Sequence, residues 1–363
     1  MLTGHLRRRS PGFTLIEMAL VLTIAGLIVT SLVSLFVTQV ANNQISSTRG
    51  REDAIKTALI TFISRNNRLP CPAVPTLLPT DPNYGKESPT PATCTGTAVG
   101  GFPVAIGIVP WIDLGLSNDA GQDAYNQRFT YAVSLLATNL NRDTVAGMAG
   151  VINMYKTTPA TVANQINANN LAAVAIISHG KNGFGAYLPS GSRAPLPTGA
   201  NEQENTNADV NFVQADYSEN ATNPFDDIVA WLTPADLLSP LAKDGAIPSA
   251  RSVTNDRYTL VRNALVDYIS QQPGKAIPPA QGGAGVPVTV LVIPVIYASD
   301  GWNQPFSYVR NLPAACTNTP GSAFTITSAG PNGVPGDADD IPYPQLNSDL
   351  NTRIAQKTGM PCP

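Results

Sequence analysis

The most hydrophobic stretch of the chain covers residues 18–37 and contains no charged residue. A single carboxylate, Glu17, stands at its entrance, and three arginines occupy positions 7–9. The hydrocarbon core of a bilayer is about 30 Å thick and a helix rises about 1.5 Å per residue, so about 20 apolar residues can span it. The pattern therefore predicts a transmembrane helix over about 18–37, with the arginines on the cytoplasmic side.

The helical pattern continues beyond the apolar run in an amphipathic form. Ile55, Leu59 and Phe62 recur at the spacing that places side chains on one face of a helix. The helix should end near Asn66, because Pro70 disfavours a helical conformation at the residue before it. These features predict a long helical spine that leads into a globular head.

The head contains the same series of short motifs twice, in the same order. Four ordered matches favour a tandem duplication over chance similarity between low-complexity segments. Alternating aromatics such as Phe129 and Tyr131 are typical of a strand. The first series comprises 108–112, 123–133, 176–183 and 226–228. A second amphipathic helix over 256–269 then repeats the first one. The second series follows it and comprises 292–296, 300–309, 326–333 and 339–341. We therefore predict an α+β fold whose head of short antiparallel strands forms two lobes, 67–240 and 252–363, divided near 238–252.

The composition is not that of a helical cytosolic enzyme. Charged residues make up 13 % of the 363 residues, and 29 glycines and 32 prolines accompany many Asn, Thr and Ser. Such a composition is typical of a loop-rich exterior domain. The formal net charge of −3 offers no basic surface, so we do not expect nucleic acid as a partner.

The junction between the arginines and the apolar run carries a specific motif. No Ala-x-Ala site closes the run, as it would in a secretory signal, and the small residue Gly12 lies before it. Residues 12–17, Gly-Phe-Thr-Leu-Ile-Glu, resemble the N-terminal motif of type IV pilins and pseudopilins. The resemblance implies a leader over 1–12, cleavage between Gly12 and Phe13 by a prepilin peptidase, and N-methylation of Phe13.

The resemblance also gives a role to the carboxylate at the entrance of the apolar run. In the family, the fifth mature residue pairs with the N-terminal amine of a neighbouring subunit, and Glu17 occupies that position. A charge in lipid is costly unless it is paired, which agrees with such a partner. The alternative is an ordinary signal anchor in which Glu17 lies among the lipid headgroups.

By the same resemblance, residues 13–66 form the spine of a filament subunit with a pilin-like head. Many pilins have a proline part-way along this helix, but residues 30–34 contain none, so a bend should be weaker or absent. The implied partners are other pilin or pseudopilin subunits, the prepilin peptidase and an inner-membrane assembly platform. The subunit would begin as a single-pass inner-membrane protein with a periplasmic head and then join a filament, with an extracellular location as one outcome.

A segment rich in Gly and Asp, residues 328–341, resembles the calcium loop of the major pseudopilins of type II secretion. Calcium takes about six to eight oxygen ligands, and glycines let carbonyls and carboxylates converge. The candidate ligands are Asn332, Asp337, Asp339 and Asp340. A solvated turn without a metal is the alternative. In the first lobe an insertion separates the corresponding pieces and Lys181 would repel a cation, so we expect that copy to have lost the site.

The four cysteines, Cys71, Cys94, Cys316 and Cys362, are well separated. In an exported chain without a Cys-x-x-Cys spacing, two disulfides are favoured over a metal site. Three pairings are open on sequence alone. We favour Cys71 with Cys94 and Cys316 with Cys362, the second tying down a C-terminal loop as pilins often do.

Catalytic chemistry has little support in the sequence. His5 lies in the leader, His179 is expected in a surface turn, and no Ser/His/Asp or Cys/His set can be argued from spacing. We therefore do not expect an enzyme. The polar insertion 191–223 is interpreted either as an exposed contact surface or as a mobile loop.

The sequence thus predicts a structural subunit of a type IV pilus or a type II secretion pseudopilus. A head of this size favours a minor or tip subunit, because bulk limits lateral packing. The alternative is a membrane-anchored or tip-located adhesin that uses the same export leader.

Overall fold

The computed structural model describes residues 14–88, 94, 103–310, 324–342 and 346–358. Its longest element is helix α1, Leu15–Asn66, which is continuous over 52 residues. Asn67 ends it in the left-handed conformation, with φ 57°, and donates its N–H to the carbonyl of Ile63. The predicted spine helix is therefore confirmed over the described residues, while the leader 1–12 and residue 13 lie outside them.

The two halves of α1 have different surroundings. The large apolar side chains described between Leu15 and Val40 are exposed. In the second half, Ile55, Leu59 and Ile63 are completely buried in the core of the head. Within the described residues, α1 therefore joins the hydrophobic core of the head through its amphipathic half.

The first lobe is built on a four-stranded antiparallel sheet with the order β1-β2-β4-β6. The strands of this lobe are β1 (Val104–Ile108), β2 (Thr130–Ser134), β3 (Asn153–Tyr155), β4 (Val174–Ser178), β5 (Asn211–Val213) and β6 (Ile228–Leu232); its helices after α1 are α2 (Ala200–Glu204) and α3 (Pro234–Lys243). One face of the sheet packs against α1, and the other packs against the parallel pair β3 and β5. Because β2 and β4 are covered on both faces, every residue in them is buried.

The polar insertion 191–223 forms part of this outer layer. It carries α2 and β5, and Phe212 and Val213 of β5 are buried. The expectation of an exposed insertion is therefore wrong for these elements, since their apolar side chains cover the sheet.

The second lobe has its own helix and its own core. Its elements are α4 (Ala250–Gln271), α5 (Val288–Leu291), β7 (Ser307–Arg310), β8 (Phe324–Ser328), β9 (Ile341–Pro342) and α6 (Leu346–Thr358). Val261, Leu265 and Ile269 of α4 pack against Phe306 and Tyr308. Helix α6 packs on α4. The loop expected to be tied down by Cys362 stays a prediction, because Cys316 and Cys362 lie outside the described residues.

The three-stranded sheet of the second lobe repeats the strand order and register of the first. Strands β7-β8-β9 are antiparallel neighbours, as are β2-β4-β6. The equivalent cross-strand pairs are Tyr131–Ile176 and Tyr308–Ile326, followed by Ser178–Ile228 and Ser328–Ile341. The residues before the first repeated block are an exception: Ile108 of 108–112 ends strand β1, whereas the equivalent 292–296 follows the short helix α5.

The turn before β2 is organised by a buried aspartate. Asp123 Oδ1 accepts hydrogen bonds from the backbone N–H groups of Tyr125 and Gln127, both at 2.9 Å. Its Oδ2 accepts one from the hydroxyl of Ser178 at 2.6 Å. The carboxylate thus ties the turn to the end of β4.

The same set of bonds recurs before β7. Asp300 accepts from the N–H groups of Trp302 and Gln304, both at 2.9 Å, and from the hydroxyl of Ser328 at 2.5 Å. The repeated sequence blocks therefore have the same local structure in both lobes. The lobe boundaries themselves, 67–240 and 252–363, remain a prediction.

The helices α1 and α4 hold these turns in the same way. Thr48 accepts a hydrogen bond from the N–H of Ala124 at 3.2 Å, and Thr254 accepts one from Gly301 at 2.9 Å. Three residues later in each helix, an arginine donates to the carbonyl of the turn aspartate; these arginines are Arg51 and Arg257. In the second lobe, α4 thus takes the place that α1 has in the first.

Cys71 and Cys94 are joined in a disulfide, with Cα atoms 5.3 Å apart. This is one of the two favoured pairings. Cys316 and Cys362 lie outside the described residues, so their pairing stays a prediction.

Candidate assembly segment and cation sites

The start of α1 is closed by the carboxylate that the motif singles out. Glu17 Oε2 accepts hydrogen bonds from the N–H and from the hydroxyl of Thr14, both at 2.8 Å. The N–H of Glu17 donates in return to the Thr14 hydroxyl at 3.3 Å, which completes a capping box. Glu17 therefore lies at the mouth of its own helix, beside the peptide bond to Phe13. Gly12 and Phe13 lie outside the described residues.

The apolar half of α1 is the candidate assembly segment. In the part of the chain that the structure describes, α1 is the one helix long and apolar enough, by length and composition, to cross a membrane. The hydroxyls of Thr23 and Thr30 donate to the carbonyls of Ala19 and Gly26, at 2.6 and 2.7 Å, so both are satisfied within the helix. A helix that is apolar all round is suited to lipid or to other apolar helices.

The loop between β8 and β9 contains the four predicted calcium ligands. The side-chain amide of Asn332 donates to Asp337 at 2.6 Å and to Asp339 at 2.9 Å, so the structure brings these three together. Their closeness raises the pKa of Asp339, because two adjacent carboxylates resist ionising together. Asp340 turns away and accepts from the N–H of Gly336 at 2.7 Å, while its Oδ1 is buried without a hydrogen-bond partner.

This donor set fits a hard cation in part. Asp337 and Asp339 offer carboxylate oxygens on a glycine-rich loop, which is the chemistry that calcium prefers. The amide nitrogen of Asn332 lies between them, and it would have to turn its oxygen inward to act as a ligand. Asp340 would have to leave Gly336 to join the same ion.

A second group of carboxylates meets in the first lobe. Glu202 of α2 lies beside Asp226 and Asp227, the two residues before β6, and the three offer ligand atoms within 4.8 Å of one another. Glu202 was not predicted as a ligand, because it is distant in sequence from the two aspartates. Only the folding of the insertion brings it beside them. An acidic residue inside an insertion that separates two matched motifs was the available signal.

Each of these carboxylates has one oxygen held by a hydrogen bond. Glu202 Oε1 accepts from the side-chain amide of Asn182 at 2.8 Å, and Asp226 Oδ2 accepts from the Asn182 N–H at 2.9 Å. Asp227 Oδ2 accepts from the side-chain amide of Asn205 at 2.8 Å. The second oxygens, Glu202 Oε2, Asp226 Oδ1 and Asp227 Oδ1, are buried and have no hydrogen-bond partner. Burial raises the pKa of all three carboxyl groups, and that of Asp227 is raised well above its ordinary value.

His179 adjoins this group. It is 1 % exposed, so the expectation of a surface turn residue is wrong; it directly follows β4 and lies under the insertion. Its Nε2 is 2.8 Å from the hydroxyl of Thr130, and its Nδ1 is 3.9 Å from Asp227 Oδ1 and has no hydrogen-bond partner. Burial lowers the pKa of His179 to about 4, so its ring is neutral at pH 7 and brings no positive charge to the carboxylates.

Residues 7–33 match the family model described as the prokaryotic N-terminal methylation motif. The chain carries the N-terminal motif of the type IV pilin and pseudopilin family. No curated protein and no solved structure matches the chain.

The pilin motif covers the leader junction, Glu17 and the start of the exposed apolar helix. It implies processing by a prepilin peptidase, assembly with other subunits and a structural role. The apolar helix fits membrane anchoring before assembly. The head, which the motif does not reach, is pilin-like in its α+β arrangement of a long helix followed by antiparallel strands.

Proposed function

We propose that this protein is a minor or tip subunit of a type IV pilus or a type II secretion pseudopilus, assembled through α1. The observation that carries the proposal is the continuity of α1. The helix begins at the pilin motif, exposes its apolar half and buries its second half in the head without a break. The exposed half therefore needs a partner, and the equivalent helices of neighbouring subunits offer the same surface.

Assembly would exchange one apolar environment for another. Before assembly, lipid covers the first half of α1; in the filament, neighbouring helices cover it. Cleavage after Gly12 would free the amine of Phe13, and the Glu17 carboxylate of one subunit would pair with that amine on the next. Because an unpaired charge is costly in an apolar surrounding, this pair would select the register between subunits.

The two-lobed head supports a minor or tip position. Among the described residues, the core that packs on the spine helix belongs to the first lobe, and the second lobe is built around α4. The second lobe therefore adds bulk that neighbouring heads would have to accommodate. A purely anchored adhesin with the same leader is the second candidate, and it would not enter filaments.

Calcium binding by the second lobe belongs to the same proposal. Asp337 and Asp339, with the side-chain oxygen of Asn332 and loop carbonyls, would hold the ion, and Asp340 would either join them or brace the loop through Gly336. The convergence of Asn332 with two carboxylates supports it.

Replacing the assembly carboxylate tests the proposal. A Glu17→Gln variant should be cleaved and inserted normally, but its incorporation into filaments should fall by about tenfold or more, because loss of one desolvated ion pair exceeds about 1.4 kcal/mol. Incorporation is measured as the ratio of sheared to membrane-bound protein. Thr14→Ala is the matched control, since it breaks the capping box but keeps the carboxylate. Normal incorporation of Glu17→Gln, or an equal defect in Thr14→Ala, would contradict the pairing.

The mature N-terminus gives a separate test of the pathway. Intact mass and N-terminal sequencing should find a chain that begins at Phe13 with one added methyl group, in the sheared fraction. An uncut chain that begins at Met1 and stays in the membrane would overturn the filament proposal and favour the anchored adhesin.

A further inference from the structure

The carboxylates of Glu202, Asp226 and Asp227 form an enclosed acidic group in the first lobe. Glu202 as a whole and the side chain of Asp227 are each 1 % exposed. Each of the three residues keeps one oxygen with no hydrogen-bond partner. Burying a carboxylate oxygen in this state is costly, so the group needs a positive charge or protons.

Neighbouring side chains do not supply that charge. Within the described residues, no lysine or arginine nitrogen lies within 4.0 Å of any of the three carboxylates. Lys181 is exposed and acts on Asp226 from a greater distance. Asp227 Oδ1 lies 3.9 Å from Nδ1 of His179, and neither atom has a hydrogen-bond partner.

We propose that the first lobe binds a divalent cation with the chemistry of Ca²⁺ between Glu202, Asp226 and Asp227. The three ligand atoms lie within 4.8 Å of one another, and oxygens on opposite sides of a calcium ion, at about 2.3–2.6 Å each, are separated by about 5 Å. All three donors are carboxylate oxygens, which hard cations prefer. Asp226 and Asp227 also line a cleft of about 860 Å³ between α1 and the first lobe.

The backbone around the site is shaped to admit the carboxylates. Gly180 has φ 60°, and a Cβ placed on it would lie 2.4 Å from Asp226 Oδ1. In the second lobe the equivalent Gly330 has φ 65°, and its Cβ would lie 2.9 Å from Asp339 Oδ2. A larger residue at either position would push the aspartate out of place.

The insertion supplies the carboxylate that the first lobe would otherwise lack. In the second lobe the side-chain amide of Asn332 donates to Asp337 and Asp339. In the first lobe Asn182 donates through its side chain to Glu202 and through its backbone to Asp226. Glu202 thus stands where Asp337 stands, although the two reach this position from different parts of the chain. The expectation that the first copy lost its site did not take Glu202 into account. The inference does not depend on the filament proposal or on calcium in the second lobe.

The test uses the full chain in detergent micelles. The protein is stripped with a chelator and dialysed against Ca²⁺, and we measure bound calcium per chain by elemental analysis and the melting temperature with and without calcium. Glu202→Gln should lose one equivalent of calcium per chain and should lose the part of the calcium-induced rise in melting temperature that this site supplies. In chelator, the same variant should melt at the wild-type temperature or above it, because it removes one charge from a crowded group. Glu204→Gln, two residues further along α2, is the matched control and should behave as wild type in both measurements.

A double variant, Asp337→Asn with Asp339→Asn, distinguishes calcium bound in the second lobe from calcium bound in the first. This double variant should still bind the equivalent of calcium that Glu202→Gln loses. Unchanged calcium content and an unchanged calcium response in Glu202→Gln would overturn the inference and assign the buried oxygens to shared protons. A rise in melting temperature with Zn²⁺ but not with Ca²⁺ would overturn the choice of cation. If Glu202→Gln fails to fold, Asp226→Asn carries the same two measurements, with the same expected losses.

Discussion

At the scale of single residues, the head contains several buried charged side chains, and most of them interact with a neighbouring side chain. Arg68 and Glu87 form a two-pronged ion pair at 2.8 and 2.9 Å. Arg128 lies over the ring of Trp111, with its guanidinium carbon 4.3 Å from the ring centre. Glu52 differs, because it lies on the buried face of α1 and its Oε1 has no hydrogen-bond partner. Burial raises the pKa of Glu52 to about 8.

Glu52 should therefore make the fold sensitive to pH. Between about pH 4.5 and pH 8, the folded protein keeps a proton on Glu52 that the unfolded chain has released, so the free energy of unfolding falls as the pH rises through this window. Glu52→Gln removes this dependence. Its melting temperature should match that of the wild type near pH 4.5 and exceed it increasingly up to pH 8. Asp53→Asn, at an exposed neighbour, should show no such divergence.

The candidate functional residues differ in how far the sequence could predict them. Glu17 belongs to an uninterrupted motif, and its bonds to Thr14 are local, so a reading along the chain finds it. Glu202 meets Asp226 only after the insertion folds over the sheet, and no local pattern records that placement. His179 was predicted at the surface but is buried, because a short polar sequence after a strand does not show what packs above it.

At the scale of elements, the turn that enters β7 depends on one side chain. Asp300 is completely buried and accepts three hydrogen bonds, two of them from backbone N–H groups. Its carboxylate therefore fixes the turn and joins it to β8. Asp123 does the same for β2 and β4 in the first lobe.

Removing this carboxylate should destabilise the second lobe. Asp300→Ala leaves two N–H groups and the hydroxyl of Ser328 without their acceptor, and we expect the free energy of unfolding to fall by roughly 3 kcal/mol. Asp256→Ala, which removes an exposed aspartate of α4, should change it by less than about 0.5 kcal/mol. Urea unfolding followed by fluorescence measures both. Equal effects of the two substitutions would show that the turn is held by other contacts.

The elements were predictable where the signal is local and uniform. Helix α1 follows from its apolar run, its helical periodicity and the proline that comes after it, and it ends at Asn66 as expected. The repeat in sequence also predicted matching strands, but the residues before 292–296 form helix α5 where the first lobe has β1. There Val292 is left-handed, with φ 54°, and Gly285 instead bridges to Ser307 at the edge of the sheet. A strand needs a neighbour, and the chain places a different neighbour beside β7.

At the scale of the whole molecule, the two lobes touch through a few polar contacts. The side-chain amide of Asn303 donates to the carbonyls of Thr144 and Gly147, at 3.0 and 3.3 Å. Arg257 donates to the carbonyl of Asp143. Among the described residues, the two hydrophobic clusters of the first lobe share no residue with the cluster of the second lobe. Polar contacts of this kind join the lobes without merging their cores.

Removing the hydrogen bonds of the Asn303 side chain should reduce the cooperativity of unfolding between the two lobes. Asn303 has φ 62°, so Asn303→Gly keeps the backbone conformation and removes only the amide. Calorimetry should then resolve two unfolding transitions, or separate them further than in the wild type. Asn126→Gly is the control, because Asn126 has φ 63° at the equivalent position of the first lobe and is exposed. Identical calorimetric profiles for both variants would mean that other contacts couple the lobes.

The equivalence of α1 and α4 has a consequence for the history of the chain. Aligned on the threonine and arginine that hold the turns, α4 begins at the equivalent of Gln44, beyond the apolar run. The second copy thus contains a head without an anchor. The features that the N-terminal motif implies, from the leader to the apolar half of α1, therefore belong to the first copy alone.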